Sequence, residues 1–393
     1  MALPSAHNEK LKKRARVLMA MSGGVDSAVA AALLKTQGYE VIGVHMQLWN
    51  QADAAQKKSG GSCCSIVDSN DARRVCDLLE IPFYVINARD QFKNDVIDYF
   101  VHEYLQARTP NPCVLCNNKL KFSYLIKKAD ELKCEYVATG HYAKVVHSAD
   151  GGETSLYRAT DRSKDQSYFL FGLKQPALSR TLMPLGDLLK TNVRKMANTF
   201  GLAVADKPDS QEICFIDEGG YKEFVENNST DRYRPGGPIV TSEGHILGRH
   251  LGLFRYTIGQ RKGLGLDRPE HQDFYVIGFD IKQNALIVGP EEFLMKSALV
   301  ATNCNWIGAV DFIKGIRATA KIRSRHEEAE CVITLLQNDS VRVDFDQPQR
   351  AITAGQAVVF YQGDLVLGGG WIEGLVEPVT TRMRARFSAG ATK

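Results

Sequence analysis

The first 140 residues alternate between short apolar runs and stretches whose apolar residues recur with a helical period. Alternation of strand and helix predicts a parallel sheet with helices on both faces. Ligands bind such sheets at the carboxyl ends of the strands, so the loop after the first strand should meet Met46 and the Gly140-His141 pair there. The predicted strands lie at 17–21, 41–46, 83–86 and 136–139, and the predicted helices at 28–34, 71–79, 92–105 and 120–132.

The helical period disappears at about residue 235. Short apolar runs separated by Gly, Asn and Asp turns follow, which is typical of a small β domain and then a β-barrel. The predicted fold is therefore α/β: an N-terminal parallel-sheet domain, a small central β domain and a C-terminal β-barrel with a basic tail. The apolar runs lie at 274–277, 286–288, 341–345 and 357–361, and the predicted domains are 1–225, 226–293 and 294–393.

Composition narrows the class of protein. A chain of 393 residues predicts two or three domains, and 44% hydrophobic with 24% charged residues is typical of a soluble globular protein. A net charge of +4 permits an RNA partner without requiring one. The sequence has no run of eighteen apolar residues and no secretory signal, so we expect no membrane association. Nine irregularly spaced cysteines indicate the reducing cytoplasm rather than a disulfide scaffold.

The segment 22–27, Ser-Gly-Gly-Val-Asp-Ser, lies between the first predicted strand and the first predicted helix. Paired glycines let backbone N–H groups close on an anion, and the helix N-terminus adds a favourable dipole. Asp26 can hold Mg²⁺ or orient the loop. An ordinary Gly-Gly turn capped by Ser or Asp is the structural alternative. The segment lacks the lysine of a Walker A loop, and it resembles the PP-loop of the ATP pyrophosphatases, which cleave ATP between the α and β phosphates.

Cys113 and Cys116 form a C-x-x-C motif directly after the stiff segment 109–112, Thr-Pro-Asn-Pro. A thiolate at a helix start is favoured by the helix dipole and by nearby lysines. Zinc would require a second ligand pair at matching spacing, which the sequence lacks, and a thioredoxin-like pair does not fit an ATP-binding sheet. Cys214 by itself is interpreted as a core thiol. The remaining cysteines are Cys76, Cys134, Cys304 and Cys331, expected to be buried and inert, and the Cys63-Cys64 pair, whose role stays open.

Six blocks follow one another along the chain: SGGVDS, TPNPC-x-x-CN, ATGHYA, KDQSYFL, SQEICFI and GQRKGLG. Together they resemble the bacterial tRNA-specific 2-thiouridylases, the MnmA family, from residue 19 to about residue 370. The resemblance implies a three-domain tRNA-uridine 2-sulfurtransferase that thiolates the wobble uridine of tRNAs for Lys, Glu and Gln. It also implies adenylylation of the C2 oxygen followed by sulfur transfer. ATP and Mg²⁺ are the implied cofactors, and a sulfur-relay protein or cysteine desulfurase is the implied sulfur donor.

The resemblance assigns roles to matching positions. Cys116 is the nucleophile, Cys214 carries a persulfide, and Asp26 is required for ATP turnover. The positions matching the ATP site are Ala20, Met21, Ser22, Gly23, Gly24, Val25, Asp26, Ser27, Met46 and Gly140. The positions matching tRNA contacts are Asn111, Pro112, Cys113, His141, Lys164, Asp165, Gln166, Arg323, Ser324 and Gln356.

Cys113 departs from the family pattern, because many relatives carry Asp at this position. In a persulfide relay, Cys116 attacks the persulfide on Cys214 and a disulfide joins the two afterwards, which leaves Cys113 without a role. In the alternative, the thiolates of Cys113, Cys116 and Cys214 are metal ligands that hold a 4Fe–4S cluster, whose fourth iron delivers hydrosulfide. The presence of Cys113 favours the cluster for this sequence.

Two other classes of function stay open. One is another PP-loop ATP pyrophosphatase, such as a GMP synthetase-like ligase, which would need neither Cys116, Cys214 nor tRNA. The other is an ATP-regulated RNA-binding protein without turnover. Pyrophosphate release measured with and without tRNA separates the three. If tRNA is the partner, the cations at 261–262 and 321–323 should contact its phosphates.

Overall fold

The computed structural model describes most of the chain. The segment 51–62, the Cys63-Cys64 pair and the basic tail at 382–393 lie outside the described residues. The described residues are 15–48, 66–148, 150–209, 213–216, 219–229, 236–266, 273–308, 312, 315–337 and 339–375.

Strands and helices alternate through the N-terminal part. The strands are β1 (Arg16–Ala20), β2 (Glu40–Gln47), β3 (Phe83–Asn87), β4 (Tyr136–Ala138), β5 (Ala143–Val146), β6 (Ser155–Arg158) and β7 (Thr181–Leu182). The helices are α1 (Val25–Thr36), α2 (Ile66–Leu78), α3 (Arg89–Phe92), α4 (Asp98–Leu105), α5 (Pro112–Leu115), α6 (Ser123–Glu131), α7 (Gln175–Leu178), α8 (Lys190–Thr199) and α9 (Gly220–Asn228). π-helical turns at Lys93–Ile97 and Cys116–Phe122 join α3 to α4 and α5 to α6.

Five of these strands form a parallel sheet in the order β3-β2-β1-β4-β7. Strands β1 and β2 are buried along most of their length, because helices cover both faces of the sheet. Helices α1, α2 and α8 pack on one face, and α4 and α6 pack on the other. The predicted parallel sheet is confirmed.

The strand order reverses at β1, since β2 and β3 lie on one side of it and β4 lies on the other. Open α/β sheets bind ligands at such a switch point, in the crevice at the carboxyl ends of the strands. The loop 22–27 follows β1 and Gly140 follows β4, so both lie at this crevice.

The helix predicted at 120–132 begins earlier, at Pro112. The Asn111 side chain caps its start and accepts a 3.4 Å hydrogen bond from the Val114 backbone N–H. Proline at the first helical position needs no hydrogen-bond partner for its nitrogen. Cys113 therefore lies in the first helical turn, whereas Cys116 opens the π-helical turn that follows.

Two β domains complete the chain, as predicted. The first is a sheet in the order β10-β11-β8-β9, and the second is a barrel closed by pairing of β12 with both β15 and β17. The strands are β8 (Pro238–Thr241), β9 (Ile246–Arg249), β10 (Tyr275–Asp280), β11 (Ala285–Gly289), β12 (Met295–Trp306), β13 (Ile316–Lys321), β14 (Ala329–Leu335), β15 (Val341–Arg350), β16 (Ala357–Gln362) and β17 (Leu365–Leu375).

The barrel is joined to the N-terminal domain through a shared sheet. β17 pairs with β6 at Leu365 and Tyr157, and β6 pairs with β5. The backbone N–H of Arg158 also donates to the Asp364 carbonyl at 2.9 Å. One wall of the barrel therefore continues into the N-terminal domain. In the described part of the chain, no helix combines the length and apolar character needed to cross a membrane.

Candidate active site

Hydrogen bonds of its own serine residues hold the loop 22–27 in shape. The Ser27 hydroxyl donates to the Gly24 carbonyl at 3.0 Å and accepts from the Ser22 backbone N–H at 3.2 Å. Gly23 has φ of +79°, and a Cβ there would overlap the Asp68 carbonyl oxygen. Only glycine satisfies both conditions, which explains the first glycine of the motif.

Gly140 packs directly on this loop. A Cβ at Gly140 would lie 2.7 Å from the Ser27 nitrogen and 2.8 Å from the Asp26 carbonyl carbon. Met46 is buried near the end of β2, and Met21 at the end of β1 donates its backbone N–H to the Val44 carbonyl. The carboxyl ends of β1, β2 and β4 therefore meet at the loop.

The Asp26 carboxylate is held by two partners that the motifs did not single out. The Tyr142 hydroxyl donates to Oδ1 at 2.8 Å, and the Lys190 ammonium lies 2.7 Å from each carboxylate oxygen. Tyr142 follows His141 in the ATGHYA block, so this block could have suggested Tyr142 as a site residue. Lys190 lies in no motif, and the sequence carried no indication of its role.

Asp209 lies at the centre of a group of cations. Its carboxylate is 2.8 Å from the ammonium groups of Lys164 and Lys190 and 3.1 Å from the Arg194 guanidinium. Burial favours a raised pKa for Asp209, but the hydrogen bonds from Lys164 and Lys190 outweigh it and lower the pKa to about 2. The carboxylate therefore stays charged at any physiological pH.

Lys207 ties a neighbouring segment to the phosphate loop. Its ammonium donates to the Gly23 carbonyl at 3.0 Å and to carboxylate oxygens of Asp68 and Asp71 at 2.6 and 2.7 Å. Lys207 lies seven positions before Cys214 in the chain. The chain is thus anchored at the loop at Lys207.

A cleft of about 1550 Å³ opens above these residues. Its floor includes Ser22, Gly24 and Asp26, and one wall includes the 111–113 stretch. The opposite wall comes from the barrel, through Lys321, Ser324, Arg325, His326 and Gln356. The cleft therefore joins the phosphate loop to an edge of the barrel where Lys321 and Arg325 lie beside Glu327 and Glu328.

The three candidate thiols occupy different surroundings. Cys113 is exposed and lines the cleft. Cys116 is buried in an apolar cluster, and half-buried Cys214 packs against the same cluster between Ile213 and Ile216, which line the cleft. No disulfide forms among the seven described cysteines.

The arrangement does not assemble a three-thiol metal site. Within the described ranges, no three His, Cys, Asp or Glu side chains come close enough together to hold a metal ion. The 4Fe–4S hypothesis therefore stays a prediction.

Of the four cysteines expected to be buried and inert, three are buried and one is partly exposed. Cys76, Cys134 and Cys331 are buried, and Cys304 is half-buried. Burial raises the pKa of Cys134 to about 11 and those of the other three to about 12. These thiols stay protonated near neutral pH and are poor nucleophiles.

Several positions matched to tRNA contacts also hold loops in place. Asp165 accepts hydrogen bonds from the backbone of Ala159 and from the hydroxyl and backbone of Ser167, at 2.8 to 3.2 Å. Gln166 exchanges two hydrogen bonds with the Tyr142 backbone at 2.8 and 2.9 Å. Each side chain therefore positions residues near the cleft, whether or not it touches RNA.

Arg323 lies at a second groove, of about 1000 Å³, on the barrel. Arg325, His326, Glu327 and Glu328 line both this groove and the main cleft. The basic pair in GQRKGLG borders neither of these two cavities, and Arg261 forms an ion pair with Asp273 at 3.1 Å. The structure thus brings 323–324 to the cleft system, but not 261–262.

A lysine-free phosphate loop at the switch point of a parallel sheet, with a carboxylate beside it, defines a nucleotide-binding protein of the PP-loop class. Family models match three successive parts of the chain: a tRNA methyl transferase HUP domain over 15–218, a tRNA methyl transferase PRC-barrel domain over 222–290, and an aminomethyltransferase beta-barrel domain over 296–372. Among solved structures, a 4-thiouridine synthetase in complex with RNA and ATP is similar at 16% identity and a TM-score of 0.35, covering 54% of this chain and 50% of that one.

Curated relatives cover nearly the whole chain. The tRNA-specific 2-thiouridylase MnmA of Symbiobacterium thermophilum is 51% identical over 362 residues, 91% of this chain and 92% of that protein. The MnmA of Geotalea uraniireducens is 49% identical over 373 residues, 94% of this chain and 98% of that protein. The chain belongs to the tRNA-specific 2-thiouridylase family.

Proposed function

We propose that the protein is an ATP-dependent tRNA-uridine 2-sulfurtransferase that acts on the wobble uridine. The observation that carries the proposal is one cleft that borders the phosphate loop, the 111–113 stretch and the charged edge of the barrel. A reaction that joins ATP cleavage to sulfur transfer on RNA needs these three features within reach of one base.

ATP cleavage converts a poor leaving group into a good one. The uridine C2 oxygen attacks the α phosphorus while N3 loses its proton, and the bond to the β phosphate breaks to release pyrophosphate. Backbone N–H groups of loop 22–27 and the start of α1 stabilise the charge on pyrophosphate. The Asp26 carboxylate already holds a cation, the Lys190 ammonium, so Asp26 fits Mg²⁺, which supplies further charge stabilisation when bound.

Sulfur transfer then uses two thiols. A sulfur-relay protein or cysteine desulfurase loads one sulfur atom onto Cys214 as a persulfide. The Cys116 thiolate attacks Cys214 Sγ, and the bond to the terminal sulfur breaks, releasing hydrosulfide. Hydrosulfide adds to C2, AMP leaves with the oxygen, and the sulfur proton moves to N3 as the C=S bond forms. Cys116 and Cys214 end as a disulfide, which a cellular dithiol reduces before the next cycle.

Placement of both thiols at one apolar cluster supports this scheme. Ile213 and Ile216 of this cluster line the cleft, and an apolar setting beside the cleft limits access of water to the adenylylated base, which would otherwise be hydrolysed. The scheme gives Cys113 no covalent role.

The test is a set of product assays on the whole enzyme. With tRNA, ATP, Mg²⁺ and a persulfide donor, we expect AMP, pyrophosphate and 2-thiouridine in equal amounts. Asp26→Asn should lower pyrophosphate release by about 10² or more. Cys116→Ser and Cys214→Ser should retain tRNA-dependent pyrophosphate release but form no 2-thiouridine. Cys304→Ala, outside the cleft lining, is the matched control and should behave as wild type.

Other outcomes would identify the alternatives. Pyrophosphate release that does not depend on tRNA would favour a GMP synthetase-like ligase, and ATP binding without turnover would favour an RNA-binding protein. Methylated uridine formed from S-adenosylmethionine would favour the activity named in the family-model descriptions. Iron and sulfide in an anaerobically purified sample, with loss of thiolation in Cys113→Ala, would establish the cluster instead of the persulfide relay.

A further inference from the structure

Lys190 occupies an unusual position for a lysine. It is only 7% exposed, and its ammonium lies 2.7 Å from both oxygens of Asp26 and 2.8 Å from Oδ1 of Asp209. Three ammonium protons thus meet three carboxylate oxygens from two separate segments. A buried charge is retained only when it is paired in this way.

The backbone of Lys190 is fixed as well. Lys190 is the first residue of α8, and its backbone N–H donates to Asp161 Oδ2 at 2.9 Å. Asp161 Oδ1 in turn accepts from the backbone and hydroxyl of Ser163. The helix start therefore aims the lysine side chain at the phosphate loop.

The two aspartates depend on Lys190 to different degrees. Asp209 keeps Lys164 and Arg194 if Lys190 moves away. Within the described ranges, Lys190 supplies the one ion pair of Asp26, and Tyr142 adds a neutral hydrogen bond. The Lys190 ammonium can therefore move from Asp26 to a phosphate of ATP, while the charge of Asp209 stays paired with Lys164 and Arg194.

We propose that Lys190 is a positioning residue that occupies the Asp26 carboxylate in the nucleotide-free protein and keeps divalent cations from binding there before ATP does. The inference rests on the ATP-binding part of the proposed function. Divalent cations prefer carboxylate oxygens, and an ammonium on the same oxygens competes with them. Phosphate oxygens of ATP offer the ammonium a second partner, so metal and nucleotide bind together rather than in sequence.

The test uses Mn²⁺ as the probe and measures free Mn²⁺ by electron paramagnetic resonance. Wild type should bind Mn²⁺ at least tenfold more weakly without nucleotide than with α,β-methylene-ATP. Lys190→Met should bind Mn²⁺ without nucleotide at least tenfold more tightly than wild type does. Adding Asp26→Asn to that variant should abolish the gain. Lys195→Met, on the exposed face of α8, is the matched control.

Two results would overturn the inference. One is equally tight Mn²⁺ binding to wild type with and without the nucleotide analogue, a comparison that needs no variant. The other is a folded Lys190→Met protein whose Mn²⁺ affinity equals that of wild type. Lys190→Arg, which keeps the charge, should stay close to wild type in this assay. Absence of thiolation with the expected Mn²⁺ results would reject the sulfurtransferase and leave the role of Lys190 standing.

Discussion

The imidazole of His141 lies between a hydroxyl group, an aromatic ring and the charge of a nearby lysine. Its Nδ1 is 2.9 Å from the Thr139 hydroxyl, and its ring centroid is 6.2 Å from that of Phe122. Burial, with a contribution from the Lys121 charge, lowers the pKa of His141 to about 3. The side chain is therefore neutral near pH 7 in this structure.

This pKa predicts how stability depends on pH. The unfolded state protonates His141 near its ordinary pKa of 6.5, and the folded state does not until about 3, so stability is full above pH 6.5 and falls towards pH 3. His141→Asn should reduce the loss of unfolding free energy between pH 7 and pH 5 by up to about 2 kcal/mol. Urea unfolding at pH 7 and pH 5 measures this difference. The variant His245→Asn, at an exposed histidine, is the control and should behave as wild type. An unchanged difference would contradict it.

At the scale of elements, hydrophobic runs located the strands that are buried on both faces. β1 and β2 read as continuous apolar segments because helices cover both of their sides. The hydrophobic pattern did not predict β5, β6 and β7. These strands have only four, four and two residues, and they form because neighbouring strands pair with them. Their existence depends on tertiary contacts that no local pattern records.

The glycine turn after β1 gives a prediction with an internal control. Gly23 and Gly38 both have positive φ, +79° and +89°, so alanine at either position costs about 1 kcal/mol in backbone strain. A Cβ at Gly23 also overlaps the Asp68 backbone, whereas nothing lies within 4 Å of a Cβ at Gly38. Gly23→Ala should abolish ATP binding measured by calorimetry, and Gly38→Ala should retain it. Equal ATP affinity in both variants would show that the loop tolerates displacement.

At the scale of the whole molecule, the sequence predicted the order of one α/β domain and two β domains and part of the cleft lining, but not how the domains meet. Thr109 donates its backbone N–H to the Ala354 carbonyl at 2.9 Å, and Arg108 pairs with both Glu103 and Glu373. These residues are up to 265 positions apart in the chain. Sequence motifs indicate which residues belong to the site. Contacts between residues so far apart in the chain form only in the folded protein and leave no local sequence pattern.

The barrel edge gives a prediction about RNA binding. Arg323 lies at the second groove, and its neutralisation should remove about one phosphate contact. Arg323→Gln should weaken tRNA binding and flatten the slope of log K against log salt by about one unit. Arg342→Gln, on the same barrel but already paired with Asp344, should leave the slope unchanged. An Arg323 variant with the wild-type slope would remove this groove from the RNA path.

Gln356 connects the barrel to the segment that leads into the C-x-x-C motif. Its side-chain amide donates to the Thr109 carbonyl at 2.9 Å and to the Pro110 carbonyl at 3.4 Å, just before Cys113 and Cys116. Gln356→Ala should loosen this stretch and slow thiolation about tenfold, about 1.4 kcal/mol, while ATP affinity stays the same because the phosphate loop is untouched. Single-turnover thiolation and ATP calorimetry check this, with exposed Gln362→Ala as control. A variant that loses only tRNA affinity would mean that Gln356 acts as a direct RNA contact rather than through the cysteine-bearing stretch.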